Sequence, residues 1–269
     1  MKNELAIADQ DVASLETIAE GLIGLRIVLV NVFAISSGSD WVLIDAGLYL
    51  SAARIRRWGH THFGDRKPSA VVLTHGHFDH VGALKDLLED WDVPLFAHEA
   101  ELPYLRGQRA YPAPNAGAGG GLMSLLAPFY PRGPIDVGNR VQALPSDGSV
   151  PALPGWKWLH TPGHTDVHVS LFRGFDQTLI VGDAFCTTKQ ESVLAIATQK
   201  PELHGPPAYY TSDWDAAHRS VELLANLRPH AVAPGHGLPM AGPEVADKLQ
   251  ILAKDFDRVS RPRGENRAA

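Results

Sequence analysis

The chain alternates short β-branched apolar runs with stretches of helical spacing. Residues Arg26 to Ile35 form an apolar run, Ser36 to Asp40 a turn cluster, and Trp41 to Asp45 a second run, so the pattern predicts a hairpin. Helices are predicted over 51–63, with Ser51 as a candidate cap, and over 81–91, followed by a short strand over 94–97. Strands are expected again at 140–144, 156–160, 168–172, 178–181 and 230–233. Val221, Leu224 and Leu227 recur at helical spacing after Asp213, which predicts a capped helix over 213–227; a terminal helix is expected over 245–259. With no internal repeat and no Ser- or Pro-rich linker, residues 1–269 read as one domain. Residues 107–134 break the rhythm with crowded Gly and Pro. That segment is expected either as a mobile lid or substrate wall carrying Tyr111, Met123 and Phe129, or as a surface insertion.

Composition narrows the class. The chain is 45% hydrophobic and 20% charged, as ordinary globular proteins are. A single cysteine, Cys186, excludes an internal disulfide and suits a reducing compartment; core packing explains it better than catalysis. The start, Met1 to Ala6, lacks a secretory pattern, and the longest apolar region, 21–35, is interrupted by Arg26 and Asn31 and is too short to span a bilayer. A cytoplasmic protein with no membrane partner is expected. The net charge of −6, with the clearest basic patches at 54–57 and 260–264, argues against a nucleic-acid partner. A small-molecule substrate fits better, and a homo-oligomer stays open.

The chemistry gathers after the apolar run 70–73. His75, His77, Asp79 and His80 fall within six residues. Imidazole and carboxylate are ligands that zinc and similar metals prefer, and four from so short a segment are shared more easily by two metals than by one. A closed structural zinc set would favour several cysteines, and this chain has only one. Three later segments repeat one theme, a metal-competent residue just past an apolar strand: His164, Asp183 and His236. Strand ends converge on one crevice in α/β sheets, so these residues can meet there. Each alone also fits a turn or a helix cap.

The order His-x-His-x-Asp-His, then Pro-Gly-His-Thr (162–165), then Gly-Asp (182–183), then Gly-His (235–236) resembles the metallo-β-lactamase superfamily. The resemblance covers about 28–237 and includes the early Leu43-Ile-Asp-Ala-Gly47 motif. It implies an α/β fold, a four-layer αββα sandwich with metals at one edge of the two sheets. By position, His75, His77 and His164 would hold one metal, Asp79, His80 and His236 the second, and Asp183 would bridge them. Asp45 would orient the histidine loop, or is simply a strand-end turn residue. Many relatives continue Pro-Gly-His after the Thr165 position; here Asp166, Val167 and His168 follow, and His168 reads as a structural histidine.

The resemblance implies a dinuclear centre, expected to hold two Zn2+ with iron or manganese as alternatives, whose activated hydroxide opens a lactone, ester or thioester. Asp79 would orient that hydroxide and pass a proton to the leaving group. Tyr210 or Tyr209 would hydrogen-bond the oxyanion, or the pair anchors its loop to the core. Asp183 stands where dedicated β-lactamases carry Cys or Ser, which makes β-lactam hydrolysis the alternative rather than the expectation. Lactonases that share the seven-ligand set are the nearest functional pattern. A mononuclear iron enzyme of persulfide-dioxygenase type, or a metal-stabilised scaffold, are the competing readings.

Overall fold

The computed structural model describes residues 14–115, 117–118, 121–132, 135–198 and 201–262. Seven strands form one sheet in sequence order: β1 (Ser14–Ala19), β2 (Leu22–Ile27), β3 (Val30–Ser37), β4 (Asp40–Ile44), β5 (Ala70–Val72), β6 (Leu95–Ala97) and β7 (Val141–Ala143). The first four pair antiparallel, and β4 to β7 run parallel. A second sheet holds β8 (Trp156–His160), β9 (Val169–Arg173), β10 (Thr178–Gly182), β11 (Ala231–Pro234) and β12 (Met240–Ala241), ordered β12-β11-β10-β9-β8.

Three apolar layers explain why the strands read as continuous hydrophobic runs. Successive side chains of a strand point to opposite faces, so a strand covered on both faces loses its alternation. In β5, Val71 packs outward with Ile55, Leu84 and Leu88 of the helices Ala52–Phe63 and Leu84–Trp91, whereas Ala70 and Val72 face the other sheet. In β10, Leu179 and Val181 pack on the helices Trp214–Asn226 and Glu244–Lys254, and Ile180 faces inward with Val72 and Ile44. Helix, sheet, sheet, helix is the expected αββα sandwich. Trp41 closes the first outer layer by stacking on Phe63 at 4.6 Å and meeting Trp91 edge-on at 5.7 Å.

Three local expectations need correction. The run 26–35 is two strands, because the chain reverses at Val28 and Leu29 with Ile27 opposite Val30. Val28 sits at φ 58, uncommon for a β-branched residue, and no Gly or Asn marks the turn. The helix expected over 81–91 is a turn at Phe78–Val81 followed by Leu84–Trp91. The terminal helix breaks at Asp255 into Glu244–Lys254 and Phe256–Val259. Within 107–134 the described residues include short helices at Leu122–Leu126 and Ala127–Phe129. Tyr111 is buried, Phe129 is 84% exposed, and the Met123 side chain lies outside the described residues. The helix Trp214–Asn226 is capped as expected, the Asp213 carboxylate accepting from the Ala216 N–H at 2.8 Å. No helix among the described residues is long and apolar enough to cross a membrane.

Candidate metal centre

Five chain segments leave the C-terminal ends of strands on the same edge of the sandwich, after β4, β5, β8, β10 and β11. They carry Asp45, the 75–80 cluster, His164, Asp183 and His236. The β5 loop and the Asp45 loop are pinned to each other. Asp45 accepts from the Thr74 N–H and hydroxyl, each at 2.8 Å, and lies 2.8 Å from His80 Nδ1. The Ala46 N–H donates to the His80 carbonyl at 2.6 Å and the Gly82 N–H to the Gly47 carbonyl at 2.7 Å. A Cβ at Gly82 would overlap the backbone of Leu48 and Tyr49, so this approach needs glycine. Asp45 therefore serves the histidine loop as the resemblance implies, and the turn alone does not account for it.

The seven expected ligands meet. His75, His77 and His164 form one group, His75, His80 and Asp183 a second, and Asp79, His80 and His236 a third. In the first, His75 Nε2 lies 3.1 Å from His77 Nδ1, which lies 2.9 Å from His164 Nε2. Asp183, a member of the second group, also reaches the other two, its oxygens 3.5 Å from His80 Nε2, 3.4 Å from His164 Nε2 and 3.2 Å from His236 Nε2. Asp79 Oδ2 is 3.3 Å from His236 Nε2. Donor atoms about 2.0–2.1 Å from one tetrahedral cation lie roughly 3.4 Å apart. The spacing here is that of ligands around ions. His80 Nε2 and Asp183 Oδ1 are also buried without a hydrogen-bond partner among the described residues. The residues fit the metal pair that the fold implies.

Electrostatics divide the histidines into two sets. Burial, with the neighbouring histidines, holds His75 and His164 far below the ordinary imidazole range, and burial brings His77 down to about 4, so their lone pairs are free. Burial would lower His80 and His236 as well, but Asp183 and its fellow carboxylates outweigh it, raising His80 well above its usual value and His236 to about 10. Burial likewise opposes ionisation of Asp183, yet His236 and His80 hold it well below the usual carboxylate range. The His236 ring is aimed by its Nδ1, 2.8 Å from the Leu29 carbonyl, which leaves Nε2 facing Asp79 and Asp183.

Other candidates separate. The Tyr210 ring lies 4.5 Å from that of His77, and its buried hydroxyl has no partner among the described residues. Tyr209 turns toward Tyr130, 6.3 Å away, and its carbonyl receives the Asn115 N–H. Cys186 is fully buried and burial pushes its thiol up, which suits packing. His98 stacks on His160 at 4.6 Å, and His60 and His62 lie on the helix Ala52–Phe63, outside the three ligand groups. Three supports escape sequence reading. Asn31 bridges the sheets, its amide donating to the Pro234 and Gly237 carbonyls at 2.9 and 2.7 Å. Its one signal was a polar residue inside an apolar run. Glu101 accepts from the Tyr111 hydroxyl, which in turn accepts the Gly76 N–H at 3.1 Å, under the histidine loop. The Leu29 carbonyl carries no sequence signal at all.

Two cavities flank the centre, divided by Tyr209 and Tyr210. One, of about 160 Å³, is lined by Val28, Leu29, Val30, Leu48, Phe78 and Tyr130 beside Asp79 and His236. The other, of about 400 Å³, lies beside His77 and His164 and includes Arg109, Asn115, Asp166 and Ser212.

Comparison with known proteins agrees with this geometry. The family model of the metallo-beta-lactamase superfamily matches residues 25–236. YflN of Bacillus subtilis, described as a probable metallo-hydrolase, is 46% identical over 245 residues, covering 90% of this chain and 93% of that protein. YybB of the same organism, described likewise, is 29% identical over 209 residues, 77% of this chain and 80% of its own. Among solved structures, TTHA1623 in a di-iron-bound form superposes with a TM-score of 0.59 at 25% identity, covering 87% of this chain and 96% of that one. The BLEG-1 B3 metallo-beta-lactamase gives 0.60 at 22% identity over 84% and 96%, which speaks for the fold. The chain belongs to the metallo-beta-lactamase superfamily.

Proposed function

We propose that the protein is a dinuclear metallo-hydrolase, with zinc as its metal, that opens a small lactone, ester or thioester. The observation that carries this reading is the convergence of seven buried or half-buried His and Asp side chains at ligand spacing. His75, His77 and His164 would hold one cation, Asp79, His80 and His236 the other, and Asp183 both. When bound, such a pair supplies an activated water at neutral pH and polarises the substrate carbonyl.

The protein groups supply the rest. Asp79 is the most open of the seven, its side chain 18% exposed. That exposure suits it to take a proton and deliver it to the leaving group. The unpartnered Tyr210 hydroxyl is a donor for the oxyanion, and burial with the nearby Asp79 raises its pKa, so it keeps its proton. The smaller apolar cavity suits a short hydrocarbon arm, and the larger one the polar portion of a small-molecule substrate. A second reading, iron in the same ligands, is favoured by the di-iron form of TTHA1623.

The test is a panel of lactones, thioesters, nitrophenyl esters and a chromogenic β-lactam, run with and without chelator on protein of known metal content. Lactone, ester or thioester turnover that chelator abolishes is expected. Asp79→Asn should lower kcat by roughly 10²-fold or more, and Tyr210→Phe by about 10²-fold with metal content unchanged. Turnover of the β-lactam alone, or iron with oxygen-dependent activity, would overturn the proposal.

A further inference from the structure

Asp183 stands between the ligand groups, and what holds its loop is a histidine that belongs to none of them. His168, fully buried just before β9, accepts the Asp183 N–H on Nε2 at 2.8 Å. Because Nε2 accepts, the ring hydrogen sits on Nδ1, which donates to Thr161 Oγ1 at 2.8 Å. The Thr161 hydroxyl then donates to Ser170 Oγ at 3.0 Å, and the Ser170 hydroxyl to the Val181 carbonyl at 2.8 Å. Every donor in this chain points one way, and it ends two residues before the residue whose N–H began it. Thr161, His168 and Ser170 are all fully buried. Both ring nitrogens of His168 are thereby committed, so it cannot also be a ligand.

Gly182 supplies an independent observation. Its φ is +56, and a Cβ there would overlap His168 Nε2 and come within 2.9 Å of Thr74 Cβ. The imidazole therefore rests directly against the peptide that turns the chain into Asp183, an approach and a conformation that only glycine accommodates without strain. A residue filling space would not need its nitrogen there.

We infer that His168 is a positioning residue for the metal centre. It fixes the direction of the Asp183 peptide, and so of the carboxylate between the ligand groups, while Thr161 and Ser170 hold its ring in the one tautomer able to accept. This rests on the reading of Asp183 as a ligand. It adds a role to a residue whose burial alone suggested packing.

The experiment measures zinc affinity by competition with a chromophoric chelator, and the absorption spectrum after cobalt substitution. The proteins are the parent chain, His168→Leu, His168→Gln and Thr161→Val. Loss of a group orienting a ligand weakens metal binding by roughly 10- to 100-fold, and that is expected for His168→Leu. The Gln side chain brings an acceptor oxygen close to the Nε2 position, so His168→Gln should regain most of the affinity and a parent-like cobalt spectrum. Thr161→Val, which frees the tautomer, should fall between. Equal weakening by Leu and Gln would show that ring packing does the work, and parent-like affinity in all three variants would show that nothing here positions Asp183; either overturns the inference. Should His168→Leu fail to fold, a weakened Thr161→Val with a parent-like Gln variant supports it, and a parent-like Thr161→Val refutes it. A parent that binds no zinc or cobalt would sink the metal reading itself, and the parent measurement alone identifies that failure.

Discussion

Glu101 shows how much of the centre depends on groups that never touch an ion. Its carboxyl is buried beneath Gly76, accepts from Tyr111, and has one oxygen without a partner among the described residues. Burial raises its pKa from 4.5 to about 8. A raised folded pKa means the native state binds more protons than the unfolded chain between those values. The stabilisation is therefore complete below about 4.5 and declines as pH rises through 8. Glu101→Gln keeps the shape without the titration. In urea unfolding of both proteins, the parent should lose on the order of a few kcal/mol relative to the variant between pH 5 and 9. Parallel pH profiles would refute this. At this scale the ligands were legible because His-x-His-x-Asp-His concentrates improbable chemistry in a few residues. Glu101 was not, since a glutamate in a polar turn looks the same in sequence whether it is buried or solvated. Asn31 was half legible. It interrupts an apolar strand, but only its distant carbonyl partners explain why.

Among elements, the strand-end loops do the work, and their tightness is testable. A Cβ at Gly235 would overlap Asp183 Oδ1 and lie within 2.8 Å of His80 Cε1. Gly235→Ala should push those groups apart, costing about 1–3 kcal/mol of stability and at least roughly 10-fold in metal affinity. Far-UV circular dichroism should stay native-like. Unchanged zinc stoichiometry and affinity would show that the loop relaxes freely. Strands buried on both faces, such as β5 and β10, were readable as apolar runs of the right length. The reversal at Val28 was not, because β-branched residues continue through it and cross-strand pairing, not turn chemistry, sets the bend. The split of the helix after the histidine cluster was equally hidden. Gly82 and Ala83 are held by backbone bonds to the Asp45 loop, which is distant in sequence.

For the whole molecule, cation binding and folding are linked. A ligand present at about 100 times its Kd, bound only by the native state, stabilises by roughly 2.7 kcal/mol. For a chain of this size that raises Tm by about 5–10 °C. Zinc should give such a shift over chelator-treated protein in a thermal melt, and an unshifted melt would mean the ligands do not bind as a set. The four-layer order became legible only through family resemblance, since local patterns do not reveal which strands share a sheet.

Each ligand group takes two side chains from the loop after β5 and one from the second sheet. A nascent chain that has made only its first seven strands owns four of the seven donors yet no complete trio. A bound ion would thus report that both sheets of the polypeptide have been synthesised and have docked.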